Sequence, residues 1–481
     1  MKKTNLVLAA SLLAVSAYAQ NSTQNEYKEW KSSQDKYADF DIGKYTTPDI
    51  VRNQLDFNFD FGSYNSRTDQ FYPDRDYKYE NSSINGNILS SFSHYVNTRR
   101  KISSLTGSLS LRGSYYSYKN KQTNDNLTTI DSESSTYQQN PSLYLNWSNK
   151  WYFSKLIFMD YGINSNISYN STRNKTKNQT EDSNEKQKTF SLNISPQLGI
   201  GYGRIENVRD ARQAVYIANA LSKKGVLNRK LSDDELFELS QIISTVKNKR
   251  FLDSRLHLID EITLVDSFFE DNDLLADNGV AYFTTLNDMW QYGDLFSRKS
   301  GYEISFVARP YYSYRNLKYT PVIREFIQNS NQHHIGLIFK YEKPVKLKWQ
   351  HSLAAEVFGG INSSSEQNKQ TDDDYKNNTK YKSFSAFANY SLGYYLNTRT
   401  NIQISASQEI SKNIYDDEGD FMSSNTSLGA SLYYYFSPNL RLTGEYGLMY
   451  TPSRSNGNEG YFYNSNRFSS SFSIRLTYSI F

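Results

Sequence analysis

Charged side chains alternate with apolar ones through most of this chain: Asp56, Asp60, Arg112, Glu303, Arg309, Lys340, Lys346, Lys348, Glu356, Glu409, Arg441, Glu445 and Arg475 all face away from apolar neighbours. Gathered on one wall, they would line a water-filled space. Both signs are present, so no simple preference for anions or cations follows. Arg475 is expected to pair with Asp56, Asp60 or Glu445, with closure of the seam between the last strand and the first as its leading role. Catalytic chemistry finds little support, because the sequence holds no G-x-S-x-G elbow, P-loop or dinucleotide fingerprint. His94 and His351 sit at apolar-face positions near strand ends, and the adjacent His333 and His334 point oppositely on a strand, a poor metal pair. The chain is therefore expected to be no enzyme, with no metal site and no cofactor.

The elements that must position these charges are strands. Leu55, Phe57, Phe59 and Phe61 oppose Asp56, Asn58 and Asp60; Leu105, Leu109 and Leu111 oppose Thr106, Ser110 and Arg112. This two-residue period recurs fourteen times, six before residue 206 and eight after 298, ending in Phe472, Ile474, Leu476, Tyr478 and Ile480. An even count suits a closed antiparallel barrel with one apolar and one polar face. Asn97–Lys101, Asn149–Phe153, Glu342–Pro344, Asn397–Thr400 and Ser437–Asn439 read as tight turns. The stretches 65–82, 118–133, 171–187, 315–330, 362–378, 412–422 and 452–462, rich in Asn, Ser, Lys and Asp, read as long loops. Short turns are expected on the periplasmic side and long loops outside.

Between 206 and 298 the period becomes helical. Val208, Ala211, Val215, Ala218 and Leu221 share a face that Gly225 ends. Ser232 and Glu235 frame a capping box ahead of Leu236, Leu239, Ile242, Ile243 and Val246. Leu256, Ile259, Ile262 and Val265 mark a third helix, and Tyr282, Phe283, Leu286, Met289 and Trp290 a fourth. The insert follows an even strand, so parity places it with the short turns, in the periplasm, to gate the lumen, dock a partner or brace the barrel.

The ends and composition complete this reading. Lys2 and Lys3, the apolar run Leu6–Val15 and Ala17-Tyr18-Ala19 make a secretory signal over 1–19. Removing Lys2 and Lys3 lowers the formal net charge of +4 by two, so bulk charge argues against nucleic acid. Mean hydropathy is low, but 41 Tyr and 27 Phe argue against disorder. Residues 20–50 read as a periplasmic lead-in, with a small plug as the alternative. Domains are thus expected at 1–19 (signal), 20–50 (lead-in), 51–205 (strands 1–6), 206–298 (helical insert) and 299–481 (strands 7–14).

The signal, the strand pattern and the terminal Phe481 resemble outer-membrane β-barrel proteins of Gram-negative bacteria, porin-like in size, and the Asn/Tyr-rich style resembles those of the Bacteroidota. The resemblance covers nearly the whole chain except the helical insert, and its motifs are architectural. It implies an all-β membrane fold of about fourteen antiparallel strands in the cell outer membrane, bathed in outer-membrane lipid. It also implies that the barrel-assembly machinery reads Phe481 as its signal, although Ile480, Tyr478, Leu476 and Ile474 occupy the alternate register. Two functions are expected on this basis. One is a channel or transporter for small solutes, gated by the periplasmic helices. The other is a non-conducting barrel whose 206–298 domain anchors a periplasmic or surface partner.

Overall fold

The computed structural model describes residues 36–72, 75–124, 129–178, 182–248, 258–293, 296–321, 324–370, 374–415, 419–437, 440–456 and 462–478. The signal at 1–19, Leu256 and Phe481 lie outside the described residues.

Fourteen strands form one antiparallel sheet in chain order, each paired with its sequence neighbours. They are β1 (Ile50–Tyr72), β2 (Arg75–Asn97), β3 (Lys101–Asn124), β4 (Thr129–Tyr152), β5 (Ile157–Asn178), β6 (Asp182–Asn207), β7 (Lys299–Thr320), β8 (Arg324–Val345), β9 (Trp349–Gln370), β10 (Tyr375–Tyr395), β11 (Thr400–Tyr415), β12 (Gly419–Ser437), β13 (Leu440–Asn456) and β14 (Phe462–Tyr478). This is an up-and-down meander, the wall of a barrel. Among the described residues β1 and β14 are its two edges. The fourteen strands are those the alternation marks.

Their length corrects the expected loops. The described residues of the stretches read as long loops continue the hairpins, and only two residues separate the end of β1 from the start of β2. Polar composition misleads here because a ladder can continue in water when its side chains pair across it. One cross-strand row runs Arg67, Glu80, Lys119, Glu133, Lys177, Asp182, alternating in sign over six strands. Within it Lys119 lies 3.5 Å from Glu133. A second correction concerns Glu342–Pro344, expected as a tight turn. Pro344 stays in the ladder opposite Gln350, and the turn is Lys346–Lys348, with Lys346 in the left-handed region at φ 53°. Lys346 and Lys348 are therefore turn residues rather than lumen-facing strand residues.

Between β6 and β7 the described residues form four helices: α1 (Arg209–Lys223), α2 (Asp233–Asn248), α3 (Leu258–Asp271) and α4 (Val280–Tyr292). Gly225, at φ 71°, takes the left-handed position that stops α1. The capping box is reciprocal: Ser232 N–H donates to Glu235 Oε2 at 2.7 Å, and Glu235 N–H donates to Ser232 Oγ at 3.2 Å. The apolar faces of the helices meet in one core that includes Val215, Leu221, Leu239, Phe269, Tyr282 and Trp290. Tyr37, Phe40, Ile42 and Tyr45, ahead of β1, complete that core. Tyr37 Oη accepts from Leu231 N–H at 3.0 Å, and Tyr45 Oη bonds the Ser240 carbonyl and Ser244 Oγ. Residues 37–45 of the lead-in thus pack into the helical domain, contributing four large side chains at about 1.5–3 kcal/mol of burial each.

Glu235 carries a pH dependence for this domain. Its bonds with Arg229, at 2.7 and 2.9 Å, hold its carboxyl down at about 2, with further help from the Ser232 N–H. The stabilisation is complete above the ordinary carboxylate pKa of about 4.5 and is lost as pH falls towards about 2. Hydrogen-exchange protection at the start of α2 is expected to fall across that window, and Glu235→Gln is expected to flatten the dependence.

Candidate functional site

The two faces of the sheet differ in an unusual sense. The exposed face is the apolar one: Phe59 is 73% exposed, Leu198 58% and Ile474 60%. The opposite face carries charge and is sheltered where the wall curls, with Glu303 6% exposed. Side chains on that face reach past their neighbouring strands. Lys150 on β4 pairs with Glu303 on β7, Arg309 on β7 approaches Glu356 on β9 at 4.0 Å, and His334 on β8 bonds Ser383 on β10 at 3.0 Å. Such contacts need a concave surface, so the polar face lies inside the curve.

Glycines make room on that concave wall. A Cβ on Gly199 would sit 2.6 Å from Val307 Cγ1, and one on Gly336 2.5 Å from Phe358 Cδ1. Gly201 and Gly360 likewise leave space for Phe158 and His334. Large side chains from the next strand therefore lie flat over glycines, and Val307, Ile338 and Phe358 form a small buried apolar cluster among the charges. Arg309 lies over the Phe358 ring at 4.7 Å and donates from Nε and Nη2 to Gln197 Oε1 at 3.1 and 2.9 Å. Gln197 in turn donates to Asp160 at 2.9 Å. Arg309, His334, Glu356, Phe358, Phe387 and Glu409 surround an open recess of about 430 Å3.

The structure gathers some of the sequence-read charges and separates others. Glu303 and Arg309 belong to the inner network, and Lys340 lies across the ladder from Glu303. Arg112 stands exposed opposite Asn87 and Asn140. Asp56 accepts from Gln54 at 2.8 Å and Asp60 from Asn87 at 3.2 Å. Arg475 faces Thr443, and Glu445 faces Ser431 and Ser473. Asp56 and Asp60 lie on β1, at the opposite edge of the ladder from Arg475 on β14, and among the described residues no ion pair joins Arg475 to Glu445 on the adjoining β13. Lys346 pairs with Asp39 of the lead-in at 3.0 Å. His94 bonds Asn53 and His351 bonds Tyr390 on the apolar side. Among the described residues no group of three metal-ligating side chains forms.

Sequence reasoning missed Lys150, Asp160 and Gln197, although alternation puts all three on the polar face. It also missed Phe358 and Phe387, aromatics out of phase with their apolar neighbours, which was a readable signal. Arg298 gave no signal. It is buried beside the β8–β9 turn, donating to the carbonyls of Leu347 at 2.9 Å and Trp349 at 2.6 Å and to Gln350 Oε1 at 2.9 Å. Burial, with the Arg212 charge beside it, pulls its pKa down to about 10, so it stays cationic at neutral pH. Both guanidiniums stack on Tyr395, and Arg212 donates to the Asn397 carbonyl at 3.2 Å. Phe296 packs on Tyr395 and Tyr433, with centroids 5.8 and 5.2 Å apart. With α2 against β1 and the lead-in against β7 and β8, the helical domain lies across the short-turn end.

No protein-family model matches the chain, and no curated protein sequence matches it. Among solved structures it is similar to the translocator domain of the autotransporter NalP from Neisseria meningitidis, at 8% identity and a TM-score of 0.23, covering 95% of this chain and 98% of that one. It is also similar to the siderophore receptor PirA from Acinetobacter baumannii, at 7% identity and a TM-score of 0.17, covering 91% of this chain and 75% of that one.

Two substitutions test the site. Arg298→Ala leaves buried carbonyls without donors, at about 1–3 kcal/mol for each group left unsatisfied. Limited proteolysis is expected to cut within 208–298 faster than in the parent while the strands stay resistant. Gly336→Ala forces Phe358 off the wall, at about 1–3 kcal/mol, and is expected to lower the unfolding temperature in detergent.

Proposed function

We propose that this chain is an outer-membrane β-barrel whose concave polar wall lines a path for small solutes, with the helical domain set across its periplasmic mouth. The observation that carries the reading is the inverted amphipathicity of the sheet. Each large apolar side chain left in water forfeits about 1.5–3 kcal/mol, so a face exposing Phe59, Leu198 and Ile474 together suits hydrocarbon and not solvent. Aromatic pairs bound that face. Tyr115 and Tyr137 meet at 4.7 Å towards one end, and Trp349 and Tyr394 at 4.5 Å towards the other. From Tyr137 to Trp151 on β4 is about 46 Å at ~3.3 Å per residue. At a tilt of about 45° that is roughly 33 Å along the membrane normal, close to the hydrocarbon thickness of about 30 Å. In this reading β14 meets β1 in the membrane, because an open edge there would leave its backbone polar groups unpaired. The polar hairpin ends then project outside the cell.

The purified chain in planar bilayers is expected to conduct weakly, and removal of residues 209–297 or the Arg298→Ala substitution to raise the open level. Silence in all three forms, with heat-modifiable migration confirming folded barrels, would defeat the path reading. It would favour the second one, a barrel that anchors a partner through its helices. That alternative draws support from Ile259 and Val280, apolar and about four-fifths exposed on α3 and α4.

A further inference from the structure

The concave wall already holds one organic cation, and it is the protein's own. The guanidinium of Arg309 lies on the Phe358 ring at 4.7 Å, with the Glu356 carboxylate 4.0 Å away. A ring face is the negative side of the aromatic quadrupole, and a carboxylate beside it deepens the attraction for a cation. The same pair of groups is repeated on the next strands. Glu356 on β9, Phe387 on β10 and Glu409 on β11 are direct cross-strand partners in one row, which brings a ring between two carboxylates at side-chain contact range. Phe387 and Glu409 line the recess. Phe387 is 37% exposed, and among the described residues no cation lies over its ring and no ion pair engages Glu409. The neighbouring positions in the ladder, Ser385 and Asn425, are neutral. Arg309 is tied back to Gln197 on β6, away from this half of the recess. One ring-and-carboxylate pair, on a single strand, is therefore filled from within the chain, and a second, formed across two adjacent strands, is open.

We propose that the Phe387–Glu409 seat binds a solute bearing a guanidinium or primary ammonium group, placing it as Arg309 is placed on Phe358 and Glu356. The inference rests on the concave wall being open to solutes, and it names the class of solute that the wall retains. A simple anion is repelled by the Glu409 carboxylate, which no cation among the described residues compensates, and a neutral solute gains nothing from its charge.

Saturation-transfer NMR on the full chain in detergent micelles, with arginine methyl ester as the probe, tests this. Saturable binding is expected, weakened about tenfold by Glu409→Gln and by Phe387→Leu, the latter keeping most of the volume without the ring. Heat-modifiable migration checks that each variant is folded. N-acetylaspartate and maltose are the anionic and neutral controls. Binding of the ester unchanged in both variants, its absence in the parent, or equal binding of maltose or N-acetylaspartate would overturn the proposal. Because binding is read in micelles, a chain that binds the ester without conducting would sink the path reading and leave the seat standing. One that conducts without binding it would do the reverse.

Discussion

A strand in hydrocarbon must give every backbone N–H and C=O a partner on the strand beside it, since no water is there to supply one. On the proposed membrane placement, the rest of this molecule follows from that constraint. Pairing each strand with its sequence neighbour gives fourteen strands one continuous ladder and fixes which residues share a face. One face is then free to be apolar and the other polar. The curl of the sheet puts the polar face inside, where Lys150 can reach across two intervening strands to Glu303.

A concave wall also crowds its own side chains, and glycine relieves the crowding. Gly199 and Gly336 accept Val307 and Phe358 from the adjoining strands, so bulky residues lie along the wall instead of standing off it. The same device orders the charges. With Phe358 pressed flat, its ring becomes a platform for Arg309, and Arg309 is held between Gln197 and Glu356 and cannot swing freely. Apolar packing and charge placement on this wall are one arrangement.

Periodicity made the strands legible because a two-residue repeat survives wherever one face of a strand is apolar and the other polar. The helices were legible for the matching reason, and Ser232 with Glu235 announced the start of α2 three residues apart. Composition was the weaker guide. Asn, Ser and Lys in 65–82 and its counterparts suggested loops, yet the pairing of Glu80 with Lys119 and Glu133 with Lys177 keeps those segments in the ladder. Glu342–Pro344 reads as a turn, yet the left-handed residue that the turn needs is Lys346. Contacts between distant parts of the chain left no local mark at all. Nothing in the neighbourhood of Arg298 or Tyr45 tells that one plugs the β8–β9 turn and the other completes a helical core some two hundred residues away. The Arg475 cluster depends on a seam between the two ends of the ladder, which no local pattern describes.

The helical domain is best understood through those distant contacts. Its core is finished by the lead-in to β1, so it assembles only when the chain's start and its middle meet. Its attachment runs through Arg298 and Arg212 to turns that belong to β8–β9 and β10–β11, and through Phe296 to β12. A domain hung only on its own two covalent linkers would swing from β6 and β7. One that also grips β1, β8, β9, β10 and β12 must move against all of them at once, or loosen at the arginines first. Each guanidinium donates to backbone carbonyls of turns that are otherwise fixed by the ladder, so the domain's position is tied to the same hydrogen-bonding constraint that orders the sheet.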